Sequence, residues 1–149
     1  MIKLVLLTLH FIKTMKKLFS TKYSANAFSF AAFIMRLACG GLIIYRGYDK
    51  LIHFAAKSQT FSDPLHIGHA ASLSLVIFAE FFCGILVLIG FLTRLACIPL
   101  IVVMSVVVFY VNHAHVFGNK ENAALYLAGF IAILFIGPGK ISMDKLIGK

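Results

Sequence analysis

Residues 74–94 read SLVIFAEFFCGILVLIGFLTR, a stretch of almost pure hydrocarbon broken once by Glu80 and ended by Thr93 and Arg94. A run of this length predicts a helix that crosses a bilayer, because a hydrocarbon core of ~30 Å takes about 20 helical residues. A charge in the middle of such a helix costs about 2.5–3.5 kcal/mol on insertion scales, so Glu80 calls for a partner or a task.

Working outward, four apolar segments stand out, at residues 27–48, 70–92, 95–111 and 123–137. The first two are long enough to span, the third narrowly so. The fourth is short unless Glu121, Asn122 and Pro138 lie among the headgroups. The segments lack the alternating polarity of barrel strands. Composition agrees: 61% of the 149 residues are hydrophobic and 13% charged, against roughly 45–50% and 25% in soluble domains. A water-soluble chain could not hide that much apolar surface. The expected fold is an all-α membrane protein, a four-transmembrane-helix bundle over residues 25–146. A basic cytoplasmic or interfacial segment (1–24) precedes it and a short tail (147–149) follows. Within the first segment, residues 1–14 read either as an interfacial helix or as an over-long start, since Met15 opens a natural-looking beginning. "FLTRL" makes a tight turn, so the second and third helices are expected as antiparallel neighbours. Pro99 is expected in about the first turn of the third helix, where a missing N–H costs little. "GPGK" ends the fourth helix. A short interfacial helix is expected around residues 51–56.

The net charge is +9. The cations gather at the chain ends without interleaved aromatics, which argues against nucleic acid and for anionic headgroups. Lys3, Lys13, Lys16, Lys17, Lys22, Arg94, Lys140, Lys145 and Lys149 fall on one side of the expected bundle. Arg46, Lys50, Lys57 and Lys120 fall on the other. By the positive-inside rule both termini face the cytoplasm. Cys39, Cys83 and Cys97 form no CxxC pair and read as small buried hydrophobes.

Arg36 is a second charge inside an apolar run. It lies nine residues past Ala27, and Glu80 lies nine past Ala71. At 1.5 Å per residue each is ~13.5 Å from its own edge of the core, so the two depths differ by only ~3 Å. An Arg36–Glu80 pair between the first two helices is therefore expected, either as a structural ion pair or as a site for a proton, a quinone headgroup or another ligand. Ala32, Arg36, Gly40 and Gly47 share one face of the first helix. Glu80, Cys83, Gly84 and Val87 share one of the second, and small residues there let backbones approach. Arg94 can snorkel to headgroup phosphates. The opposite face collects Asp49, Lys50, His53, His66, His69, His113, His115 and Glu121. His113 and His115 lack the one-turn spacing of a helical metal pair and are only weak candidates for a metal, reading better as loop histidines at an interface.

Three motifs in order resemble the DoxX family of small four-helix bacterial membrane proteins. The first is "MRLACGGLIIYRGYDKL", with Arg36, Leu37, Gly40, Gly47 and Lys50. The second is "AEFFCGILVLIGFLTRLA", with Glu80, Gly84, Gly90, Thr93 and Arg94. The third is "KENAALYLAGFIAILFIGPGKISMD", with Glu121, Gly137, Pro138, Gly139, Ser142 and Asp144. The resemblance covers about residues 30–146. It implies a multi-pass protein of the bacterial inner (plasma) membrane. Relatives have been linked to quinol-oxidase or thiosulfate:quinone oxidoreductase subunits, and to a membrane complex that handles thiol and oxidative stress. The expected function is a membrane subunit of a redox complex with a quinone-type ligand near Arg36 and Glu80. The expected partners are the lipid bilayer, other subunits of that complex and a second copy of the chain. The alternatives are a structural or assembly partner without a ligand, and a small transporter, which would need a dimer to enclose a path. An enzyme acting alone is not expected, since no nucleophile or cofactor anchor accompanies the two charges.

Overall fold

The structure is a computed structural model that describes residues 24–111 and 119–148. The expected basic segment before residue 24, the start expected at Met15, and His113 and His115 lie outside the described residues. Among the described residues the chain is all-helical. Helix α1 spans Ala25–Ile52, α2 is the single turn Phe54–Lys57, α3 spans His69–Ile89 and α4 Thr93–Val111. Helix α5 spans Asn119–Ile136 and α6 Met143–Ile147. By length and composition α1, α3 and α4 can each cross a membrane, while the apolar part of α5, Glu121–Ile136, is shorter.

Helix α1 starts where the Ser24 hydroxyl accepts the Ala27 N–H at 3.5 Å, which satisfies one of the donors a helix start leaves open. Its buried residues are Ser29, Ala32, Arg36, Gly40, Ile43 and Gly47. They recur every three or four positions and so form one stripe. Phe30, Ile34, Leu37 and Leu42 point away from the bundle and are exposed, as expected of a helix whose outer face meets lipid. The helix runs one turn beyond its expected end at residue 48, so the expected interfacial helix shrinks to α2.

Helix α3 carries a π-helical turn over Phe78–Cys83. The wider winding brings Ala79, Glu80, Cys83 and Gly84 together into the buried face. Such turns occur often at functional sites.

Helices α1 and α3 run antiparallel in a register set by glycines. A Cβ on Gly47 would stand 2.6 Å from the Phe81 backbone nitrogen and 2.9 Å from the Glu80 carbonyl carbon. One on Gly40 would meet Leu88 and the Gly84 carbonyl at 3.3–3.4 Å. Gly41, on the other side of the helix, would meet nothing within 4 Å. Gly47→Ala is therefore expected to push α1 off α3 at a cost of about 1–3 kcal/mol. Gly41→Ala is expected to be neutral or stabilising by up to about 1 kcal/mol. Thermal unfolding of both variants in mild detergent checks the contrast, and equal behaviour would refute the register.

Between α2 and α3, Asp63 organises the loop. Its carboxylate accepts from Ser72 Oγ at 2.7 Å, Gly68 N–H at 2.7 Å and Ile67 N–H at 3.1 Å. The Ser72 bond does most to hold this carboxyl below its usual range. Partial desolvation opposes it, and the two N–H donors and the charge of His69 add to the lowering.

The α3–α4 turn is a Schellman closure. Gly90 N–H bonds the Val87 carbonyl at 3.2 Å and Phe91 N–H the Leu86 carbonyl at 2.9 Å. Gly90 takes φ +74°, a left-handed conformation that costs residues with a Cβ about 1–2 kcal/mol. Because α4 begins at Thr93, Pro99 lies inside the helix and not in its first turn. There it removes one backbone hydrogen bond. The core layer joins Ile43, Val87, Cys97, Leu100, Phe130 and Ile133, and all three cysteines are free thiols. Helix α5 ends at Ile136, and the following chain folds back over the α3–α4 turn, where Asp144 N–H bonds the Gly90 carbonyl.

Candidate functional site

The polar groups of the bundle collect in two layers along α1, one at Arg36 and one near its end at Lys50. Arg36 and Lys50 are fourteen residues apart on that helix, which is about 21 Å along its axis.

The first layer closes one end. Arg36 is 1% exposed. Its Nη2 donates to the Ile141 carbonyl, and its guanidinium lies 5.8 Å from the centre of the Phe33 ring. Its Nε and Nη1 are buried without a hydrogen-bond partner among the described residues. Asp144 supplies the facing negative charge. That carboxylate accepts from Leu92 N–H at 2.6 Å, Thr93 N–H at 3.0 Å and Thr93 Oγ1 at 2.8 Å. Asp144 N–H in turn bonds the Gly90 carbonyl at 2.9 Å. Desolvation works against ionisation of Asp144. The bonds from Thr93 and Leu92, with the charge of Arg36, outweigh it and hold the carboxyl below the ordinary range.

The remaining motif residues at this end serve the same closure. Ser142 caps α6 by accepting from Lys145 N–H at 3.3 Å and donates to the Gly139 carbonyl at 2.9 Å. A Cβ on Gly90 would fall 1.9 Å from Arg36 Nη1, so only glycine leaves room for the guanidinium. Arg94 is exposed, and its guanidinium lies over Gly137. Pro138 sits between the left-handed Gly137 and Gly139. Together these residues form a clasp that ties the chain after α5 to the α3–α4 turn.

The second layer holds Glu80. The expected Arg36–Glu80 pair does not form: Lys50 Nζ donates to Glu80 Oε2 instead. The face expected of each helix is the buried one, but the register differs. Arg36 lies level with Gly90, ten residues beyond Glu80 on α3. Glu80 is 3% exposed and Lys50 half-buried. Gly47, one turn before Lys50, has no side chain to hold the two helices apart at this level.

Lys50 and Glu80 form the polar end of a cavity of about 640 Å³. Its walls come from the loop at Phe61 and Pro64, from Val76 of α3, from Val102 and Val107 of α4 and from Ala123 of α5. The volume is in the common range for small-molecule sites, about 300–1,000 Å³. Arg46 also lines it, with its guanidinium 5.8 Å from the Tyr126 ring centre. A smaller polar space of about 340 Å³ adjoins it, lined by Tyr45, Arg46, Asp49, Lys50, Lys57 and Phe61. There Asp49 accepts from Lys57 Nζ and lies 3.1 Å from His53 Nδ1.

Arg46 and the Asp49–Lys57 pair are site residues that motif reading passed over. The signal for Lys50 was present: it follows Gly47 by three residues and so shares its face. Glu121 is exposed in the first turn of α5, where its charge suits the helix dipole. Among the described residues no group of three or more His, Cys, Asp or Glu side chains is placed to hold a metal ion.

No solved structure matches the chain. The inner membrane protein YqjF of Escherichia coli strain K12 is 26% identical over 122 residues, which cover 78% of this chain and 91% of that protein. The DoxX family model matches residues 31–113, a span that holds Arg36, Gly47, Lys50, Glu80, Gly90 and Thr93. The chain is a multi-pass inner-membrane protein and belongs to the DoxX family.

Proposed function

We propose that this protein is the membrane subunit of a quinone-linked redox complex and that the Glu80–Lys50 cavity receives the quinone-type ligand. The observation that carries the reading is a buried carboxylate–ammonium pair at the end of a largely apolar cavity of about 640 Å³. A lipophilic ring needs apolar walls, and its two oxygens need one donor and one group that can take a proton. Lys50 and Arg46 are donors beside Glu80, which can accept a hydroxyl proton. The ligand supplies the redox chemistry, and a partner subunit carries the electrons onward. The chain itself binds and orients the ring, keeps water from it and handles the proton.

Four crossings with both termini cytoplasmic complete the proposal. The nine-to-four distribution of cations supports the orientation. Support for α5 as a fourth crossing is that its Ala123 lies beside the cavity, while Gly137, the residue after its end, lies beside Arg94 in the clasp layer.

The test is binding of a short-chain quinone analogue to the purified protein in mild detergent. Wild type is expected to bind. Val102→Trp should fill the cavity and abolish binding while the helix content stays unchanged. Glu80→Gln should weaken binding about tenfold, the worth of one charge-assisted hydrogen bond. If wild type does not bind, or if Val102→Trp binds as well as wild type, the cavity is not a quinone site. The pair is then a structural element of an assembly partner.

A further inference from the structure

We propose that the Lys50–Glu80 pair exchanges protons with one side of the membrane only, the side of the α1–α3 loop, through the polar vestibule of Asp49 and Lys57.

The two cavities share a wall. Arg46, Lys50 and Phe61 line both, whereas Glu80 lines only the apolar one. Lys50 thus reaches the buried carboxylate from the vestibule side. The side-chain exposures rise along this line, from 4% at Glu80 through 19% at Lys50 to 48% at Asp49. Asp49 holds both Lys57 and His53 at the vestibule mouth. A chain of titratable groups therefore leads from the buried carboxylate to solvent at that end.

Among the described residues, the opposite direction is closed. From Glu80 to Gly90 the chain advances about 15 Å with no charged or hydroxyl side chain in between. The fully buried part of the layer it crosses is Ile43, Val87, Leu100, Phe130 and Ile133, with the thiols of Cys83 and Cys97 as its most polar buried groups, and Tyr126 packs partly buried against it on the Arg46 side. Such a layer stays dry and offers no carrier for a proton. Beyond it, the Arg36–Asp144 clasp seals the far end.

The groups that face the pair are Arg46 and Asp49 from α1 and Lys57 from α2, with Tyr45 in the vestibule wall. Among the described residues, α4 and α5 line the cavity with apolar side chains, and Tyr126 of α5 faces Arg46. In the exchange, Glu80 takes a proton from the cavity occupant. Lys50 gives one of its protons to solvent in the vestibule, or to Asp49, and receives the proton held by Glu80. The starting charges of the pair are restored. The access geometry does not depend on the identity of the occupant. If the quinone reading also holds, a quinol oxidised here releases its protons on the loop side.

The test uses the full chain in vesicles of known orientation, with no quinone present. The carboxyl infrared band of Glu80 is assigned as the band that vanishes in Glu80→Gln and shifts in Glu80→Asp. It is then followed while the pH is stepped on one side at a time. The band is expected to answer steps on the loop side and to ignore steps on the other. Asp49→Asn is expected to slow that answer by at least about tenfold, toward the low end of what a positioned proton donor contributes. A response to the far side, to both sides or to neither overturns the proposal, and an unchanged rate in Asp49→Asn overturns the route through Asp49. Because no quinone takes part, this result and the quinone-binding result stand or fall separately.

Discussion

Asp144→Ala is expected to destabilise the protein by about 2–4 kcal/mol, although Asp144 lies in the last helix, outside the long apolar segments. Hydrogen bonds to a charged group contribute about 1.5–3 kcal/mol, and an orphaned buried donor costs about 1–3 kcal/mol. The substitution strands the N–H groups of Leu92 and Thr93 and the hydroxyl of Thr93, which is 0% exposed. It also leaves Arg36, already carrying two unpartnered nitrogens, without its facing anion. Asp144→Asn keeps one acceptor oxygen and should lose less. The acid limb gives a second check. The folded carboxyl titrates below its ordinary value, so its stabilisation is complete above about pH 4 and is lost as the pH falls through the lower folded value. Wild type and Asp144→Ala should therefore converge in acid. Thermal unfolding in detergent as a function of pH measures both effects. A gap that persists in acid would assign the clasp to something other than this carboxylate.

The helical faces were readable from residue spacing, because burial on a helix repeats every three or four residues. Ala32, Arg36, Gly40 and Gly47 face the bundle as expected, and so do Glu80, Cys83, Gly84 and Val87. Register was not readable by the same route. Depth counted from segment ends assumes that each apolar run begins at the edge of the bilayer. Helix α1 in fact extends from Ala25 to Ile52, so Arg36 sits nearer one end and Lys50 nearer the other. The π-helical turn at Phe78–Cys83 also departs from the regular winding on which such counting rests. The glycines held better information. The close approaches at Gly40 and Gly47 place α1 against α3 at Gly84 and at Glu80–Phe81, and that pairing predicts Lys50, not Arg36, as the partner of Glu80. The clasp was invisible for a different reason. Asp144 lies 51 and 52 positions from the backbone groups it caps, and no local periodicity encodes a contact over that distance.

The Lys50–Glu80 pair gives the second large effect. Glu80→Met leaves an ammonium in a half-buried site without its carboxylate, and Lys50→Met leaves a carboxylate almost fully buried without its ammonium. Removing one partner of a buried pair costs about 3–5 kcal/mol, whereas replacing both by apolar residues of similar volume is often neutral or stabilising. Lys50→Met should cost more than Glu80→Met, since the side chain of Glu80 is 4% exposed and that of Lys50 19%. The double variant Lys50→Met/Glu80→Met should recover most of the stability, and the exchange Lys50→Glu/Glu80→Lys should recover part of it. The measurement is a double-mutant cycle of unfolding in detergent, with coupling of at least about 2 kcal/mol expected. Additive losses would show that the two side chains do not act as a pair. Once the double variant folds, it separates the two roles left to the site. Retained activity in a strain that depends on the protein would make the pair a packing device. A well-folded variant without activity would show that the charges act on what the cavity binds.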